Sequence, residues 1–246
     1  MKRKKQFRII AFLVLLIVIA FTANWLLSSY KPTDEAAAVF NSNNNVEVSK
    51  DKYITFTPRD KVPDTALIFY PGGKVSPDAY APLCSKIAAQ GYMVIIVPMP
   101  LNLAVLSPNK AEAVIKAYPN IKNWAIGGHS LGGVMAVSFA KKHTDEIKAL
   151  ALFASYPQDK DNISETKLKV LSVWGSEDGC ADISKIKAAQ TIVPKDSVFK
   201  EINGGNHAQF GNYGFQKGDN EAKIPSLDQQ SLTVQYTVNL LSEISK

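Results

Sequence analysis

The chain has 246 residues, 46% of them hydrophobic, enough to bury one good-sized core. Its formal net charge of +6 is concentrated at the start, in Lys2, Arg3, Lys4, Lys5 and Arg8; taking these five from the 28 basic residues leaves 23, against 22 acidic ones. A body so close to neutrality has no electrostatic footprint for a polyanion, so no nucleic acid partner is expected.

Residues 1–8 form a basic tail, followed from Ile9 to Leu27 by nineteen uncharged residues with only Thr22 and Asn24 as polar interruptions. A helix of that length, at about 1.5 Å per residue, spans roughly the hydrocarbon thickness of a bilayer. Trp25 and Tyr30 fall where interfacial aromatic anchors sit. The run is long for a signal-peptide apolar region, and neither Ala20-Phe21-Thr22 nor the residues before Asn24 make a good small-x-small cleavage site. The expectation is one N-terminal transmembrane anchor, basic end inside and the remaining chain outside. Secretion after cleavage is the alternative.

Residues 28–50, polar and Asn-rich, read as a tether with room for a brief helical turn. The domain is expected from 51 to 246. Its apolar runs predict strands at 65–70, 92–97, 123–126, 149–154, 169–174 and 197–202. Helical patterns lie between and after them, over 76–90, 110–117, 134–142 and 228–245. Ser76 reads as an N-cap, Pro82 as a disturbance early in its helix and Gly91 as a C-terminal stop. Strands that are apolar throughout and alternate with helices predict an α/β domain, a mostly parallel sheet covered on both faces. Ligands of such sheets sit beyond the carboxyl ends of the strands, which collects loops 71–75, 127–132, 175–180 and 203–213 on one rim.

The second of these loops holds "GGHSLGG", Gly127 to Gly133. Gly128-His129-Ser130-Leu131-Gly132 matches the G-x-S-x-G turn that lifts a serine hydroxyl above a sheet, here between an expected strand and helix. A serine needs a base, and the chain has three histidines. His129 adjoins the serine and must point away; His143 ends the helix in "AKKHTDE" and reads as a C-terminal cap. His207, in the Gly-rich "NGGNHAQFGNYG", follows the last strand and is the expected base. The orienting acid is expected in "VLSVWGSEDG", where Asp178 is the better placed of two neighbours and Glu177 stays open. Oxyanion donors are expected from the Leu131 amide and from the loop Pro71-Gly72-Gly73-Lys74, at Gly73 or Lys74. Tyr156, Phe210, Tyr213 and Phe215 are candidates to line the entrance. Cys84 and Cys180 lack metal-ligand spacing and read as free buried thiols or a single bridge.

In order and spacing, "YPGGKV", "VPMPLNLAVL", "GGHSLGG", "WGSEDG" and "GGNHAQFGNYG" resemble a compact bacterial α/β-hydrolase of the dienelactone-hydrolase-related type, over about two-thirds of the chain. The resemblance implies an α/β-hydrolase fold, a Ser130–Asp178–His207 triad and carboxylic-ester chemistry. The short connection from Ser155 to Lys167 has no room for a large lid domain, which favours small or accessible acyl esters. No metal or organic cofactor is implied. Ser130 departs from the cysteine nucleophile of true dienelactone hydrolases, and Tyr70-Pro71 replaces the lipase-type HGGG start. Two other classes share the scaffold: a membrane-tethered binding protein without catalysis, and an envelope transacylase or peptidase. The presence of serine, acid and histidine together favours the hydrolase.

Overall fold

Strand β3, Thr65–Tyr70, is buried at all six positions, as a strand must be when helices cover both faces of its sheet. The computed structural model describes residues 2–40 and 45–245. It places β3 between β4 (Met93–Ile96) and β5 (Asn123–His129), parallel to both. Three further strands, β6 (Ile147–Phe153), β7 (Lys169–Gly175) and β8 (Val198–Ile202), continue the parallel ladder. These are the six expected strands.

Two more strands precede them. β1 (Val46–Lys50) pairs antiparallel with β2 (Ile54–Pro58), and β2 pairs antiparallel with β4, giving the order β1-β2-β4-β3-β5-β6-β7-β8. The domain therefore begins before residue 51, because Val46 is buried in its core. The alternation Val46-Glu47-Val48 carries the two-residue period of a half-buried edge strand, while β2, paired on both sides, is buried at Ile54, Thr55 and Phe56 alike.

β3 supplies two cores by its own alternation. Leu67 and Phe69 face α3 (Ala81–Ala88) and α7 (Ser226–Ile244), with Leu83, Ile87, Leu240 and Leu241. Ala66, Ile68 and Tyr70 face α4 (Lys110–Ala117) and α5 (Leu131–Lys142), with Val114, Val137 and Phe139. Truncating a fully buried aromatic such as Phe139 to alanine would cost about 3–5 kcal/mol. The helix expected over 76–90 begins as a 3-10 turn, Pro77–Tyr80; Ser76 makes no side-chain cap, and the α-helix starts beside Pro82 in its first turn. Gly91 has φ +93°, as its stop position requires. A short helix unmarked in the sequence reading, α6 (Ile183–Ala188), lies between β7 and β8.

At the N-terminus α1 (Lys2–Leu27) has side chains exposed almost throughout, and from Arg3 to Leu27 it is long and apolar enough to cross a membrane, a character it shares with signal sequences. The Thr22 hydroxyl donates back to the Val18 carbonyl at 2.7 Å, so this polar group is satisfied within the helix.

The stretch read as a tether is packed onto the domain where it is described. Tyr30 forms a parallel bridge to Val75: its amide donates to Lys74 O at 2.7 Å and its carbonyl accepts from Ser76 N at 3.0 Å. Thr33 donates through its amide to Asn212 O and caps α2 (Asp34–Ala38), whose Ala36 is fully buried. Asn-rich composition suggested a free chain, but the backbone groups here find partners on two loops of the domain. Residues 41–44 of the expected tether lie outside the described residues.

Candidate active site

The chain turns one way from β3 to β4 and the other way to β5, so the crevice at the carboxyl ends of β3 and β5 is where a ligand site forms. β5 ends in His129, and Ser130 follows with φ 51° and ψ −124°, a left-handed conformation that is strained for any residue with a Cβ. Its amide donates to Phe153 O and its carbonyl accepts from Ser155 Oγ, both at 2.9 Å, which pins the bend from the β6 side. The glycines around it are required by contact: a Cβ on Gly132 would overlap the carbonyls of Tyr70 and Pro71, and one on Gly133 would meet Ser155 at 2.6 Å. α5 starts directly after Ser130, so its unpaired amides and dipole face the same point.

Asp178 stands after β7 and is buried, its side chain wholly so. Oδ1 accepts from the amides of Cys180 (2.9 Å) and Ala181 (2.7 Å), leaving Oδ2 to accept from His207 Nδ1–H at 2.9 Å. Glu177 turns outward and pairs with Lys223 at 2.9 Å; that hydrogen bond from the Lys223 ammonium holds its carboxyl below the usual range. The acid that meets His207 is thus Asp178. His207 is almost wholly buried, and its ring lies 4.4 Å from that of His129, the residue preceding Ser130. Ser130 Oγ holds no hydrogen bond among the described residues.

The structure adds a carboxylate unmarked in the sequence reading. Buried Asp219 accepts from Gly179 N (2.9 Å) and His207 N (3.3 Å) through Oδ1, and from Ala208 N (2.8 Å) through Oδ2. One side chain thereby ties the loop of Asp178 to that of His207. From α7, fully buried Gln229 accepts from the amide of Asn206 at 2.9 Å and donates to its carbonyl at 2.8 Å. A Gly-Asp pair just after the histidine loop was the only local signal for Asp219, and Gln229 had none.

His129 takes a wholly buried position. Its Nδ1 meets Tyr80 Oη at 2.8 Å, and the Gly72 amide donates to the same oxygen at 3.0 Å. Burial first, then the neighbouring His207, keep the His129 imidazole well below its usual value, against a smaller opposing effect of the His207 backbone. Neutral His129 accepts the Tyr80 proton at Nδ1. Burial likewise pushes the Tyr80 phenol far up.

In the loop after β3, positive φ falls on Lys74 (62°) and not on either glycine. The Lys74 amide is committed to Asn102 O at 2.7 Å and the Gly72 amide to Tyr80. The Gly73 and Leu131 amides have no acceptor among the described residues, and a Cβ on Gly73 would sit 3.1 Å from Leu131 Cδ2. Of the aromatic candidates, Phe210 and Tyr213 are buried packing residues, while Phe215 is exposed. His143 lies at the far end of α5, stacked on Phe139 and paired with Glu146 at 3.1 Å. Both cysteines are free; Cys84 is buried, but Cys180 is exposed, and partial desolvation with the charges of Asp219 and Asp178 pushes its thiol up to about 11.

A strained serine thus stands between a buried strand and a helix, with a buried His–Asp pair on the same rim. The alpha/beta hydrolase family profile matches residues 66–231. The chain belongs to the alpha/beta hydrolase family. No curated protein matches it. Among solved structures it is similar to Est1E from Butyrivibrio proteoclasticus bound to ferulic acid, at 12% identity, TM-score 0.59, covering 82% of this chain and 98% of that one. A predicted CIB-like hydrolase from Thermoplasma acidophilum matches at 15% identity and TM-score 0.58, over 79% and 98% of the two chains. The esterase domain of a Rhodothermus marinus protein matches at 13% and 0.57, over 74% and 89%. At these identities the likeness is one of fold.

Proposed function

We propose that this hydrolase is a membrane-anchored serine esterase acting on carboxylic esters through an acyl-enzyme. The observation that carries the reading is the buried Asp178–His207 pair, 2.9 Å apart, on the rim where the bend of Ser130 is held under strain. Asp178 fixes the His207 tautomer, with the proton on Nδ1 and Nε2 free as base. Ser130 Oγ bonds to the ester carbonyl carbon as its proton passes to Nε2. The negative carbonyl oxygen is stabilised by the Gly73 and Leu131 amides. Collapse breaks the carbon–oxygen bond, and the alcohol departs with the proton from Nε2. Water then repeats the sequence, releasing the acid and restoring Ser130. The esterase neighbours support this reaction over other acyl transfers.

The anchor belongs to the same reading. The long apolar α1 runs within two residues of Tyr30, which is bonded to the domain, and nothing about this junction requires cleavage. The test is labelling with a fluorophosphonate followed by a panel of acyl esters. Labelling that maps to Ser130 and disappears in Ser130→Ala is expected; labelling elsewhere, or none in folded protein, overturns the assignment.

A further inference from the structure

The end of α1 is built into the rim of the candidate site. Lys74 Nζ donates to the Leu26 carbonyl at 2.6 Å and lies 5.4 Å from the centre of the Trp25 ring. Only Ser28 and Ser29 separate Leu27 from Tyr30, which is bonded on one side to Lys74 and Ser76 and whose hydroxyl accepts from Lys217 N at 3.2 Å. The Tyr30 ring also packs 5.5 Å from that of Tyr213. The exit of the helix is therefore tied to both the loop after β3 and the loop after His207.

If α1 spans a bilayer, this attachment fixes the depth of the site. The uncharged run from Ile9 to Leu27 covers about 28 Å, close to the hydrocarbon thickness. Leu27 then lies at the edge of the hydrocarbon, and Tyr30, Lys74 and the adjoining Gly73 lie in the headgroup layer. Acyl-ester carbonyls of membrane lipids occupy that same boundary between headgroup and chain. A cleft of about 450 Å³, lined by Trp25, Ser28, Ser29, Tyr30, Gly73 and Lys74, opens between the helix end and the proposed oxyanion loop.

The side chains flanking this junction fit the same surface. Val105 and Leu106 are each 52% exposed and Leu101 is 40% exposed, in a loop joined to Lys74 through the Asn102 carbonyl. Phe215, 67% exposed, stands two residues before Lys217 on the opposite side of Tyr30. Apolar residues are thus exposed on two separate loops that are hydrogen-bonded to Lys74 and Tyr30, a cost in water that a lipid surface removes.

Resting on the esterase reading, we infer that the site opens onto the bilayer that holds α1 and that its substrate is the acyl ester of a lipid resident in that bilayer. Full-length protein would be reconstituted in vesicles of dioleoyl phosphatidylcholine and dioleoyl phosphatidylglycerol carrying a fluorogenic diacylglycerol, with p-nitrophenyl acetate assayed in parallel. Wild type is expected to cleave both. Val105→Asp with Leu106→Asp is expected to lower the ratio of vesicle to soluble turnover about tenfold or more, because two apolar contacts with lipid are lost. In a second arm, the fluorescence added by Leu106→Trp is expected to be quenched by brominated lipid. That added by Val62→Trp, at an exposed position before β3 on the opposite rim, is not. Cleavage of the soluble ester alone, an unchanged ratio in the folded double variant, or unquenched Leu106→Trp overturns the lipid inference and leaves the esterase standing. Cleavage of neither ester removes the esterase reading and the lipid substrate with it.

Discussion

The imidazoles of His129 and His207 lie 4.4 Å apart, tilted by 49°, inside the protein. Burial first, and then the neighbouring His207, hold His129 neutral. Its folded value lies below the unfolded one, so the folded state binds fewer protons between the two. Stability is then complete above the unfolded value of about 6.5 and falls as pH drops toward the folded value. Thermal melting of wild type should decline between pH 7 and pH 5, and His129→Gln should show a shallower decline. An equal decline in both would remove His129 as its source.

Ser130→Ala should lower ester turnover by roughly three orders of magnitude or more, because only the proposed nucleophile is lost. Ser130→Gly should be equally inactive and more stable than wild type by about 1 kcal/mol, since glycine adopts φ 51°, ψ −124° without the Cβ conflict. Paired turnover assays and denaturation curves measure both effects.

Asp219 acts through its neighbours. Asp219→Ala strands the amides of Gly179, His207 and Ala208, which at about 1–3 kcal/mol for an unsatisfied buried group is a large effect. The expected result is a kcat loss of about tenfold or more with little change in KM, because the loops of Asp178 and His207 lose their common tie. Asp219→Asn, which keeps one acceptor, should recover part of it. A pure stability loss with kcat intact would show that the tie serves folding only.

Truncation separates the proposed anchor from residues 28–50. Deleting residues 1–27 should give a soluble domain with unchanged hydrolysis of p-nitrophenyl acetate. Deleting residues 1–50 removes Tyr30, buried Ala36 and Val46 and the whole of β1, exposing the edge of β2. Its melting temperature should fall about 5 °C or more below that of the shorter deletion. Equal melting temperatures would mean that residues 28–50 contribute nothing to the fold.

The parallel strands, the apolar span and the types of group in the candidate site were legible in the sequence because each is a local pattern: a continuous apolar run, a charge-free stretch of bilayer length, a serine between glycines before a helix. Edge strand β1 was carried by a weaker two-residue alternation in a stretch whose composition resembled linker. What met His207 was another matter. Glu177 and Asp178 are adjacent and chemically alike, and only the turn after β7 sends one to the imidazole and the other to Lys223. Asp219, Gln229, Tyr80 and the docking of Tyr30 on Lys74 and Ser76 depend on partners 8 to 49 residues away, the nearest being Gly72 and the farthest His129, both bonded to Tyr80. No local period encodes such hydrogen bonds; they exist because the sheet brings distant loops to one rim, where most buried polar groups are paired.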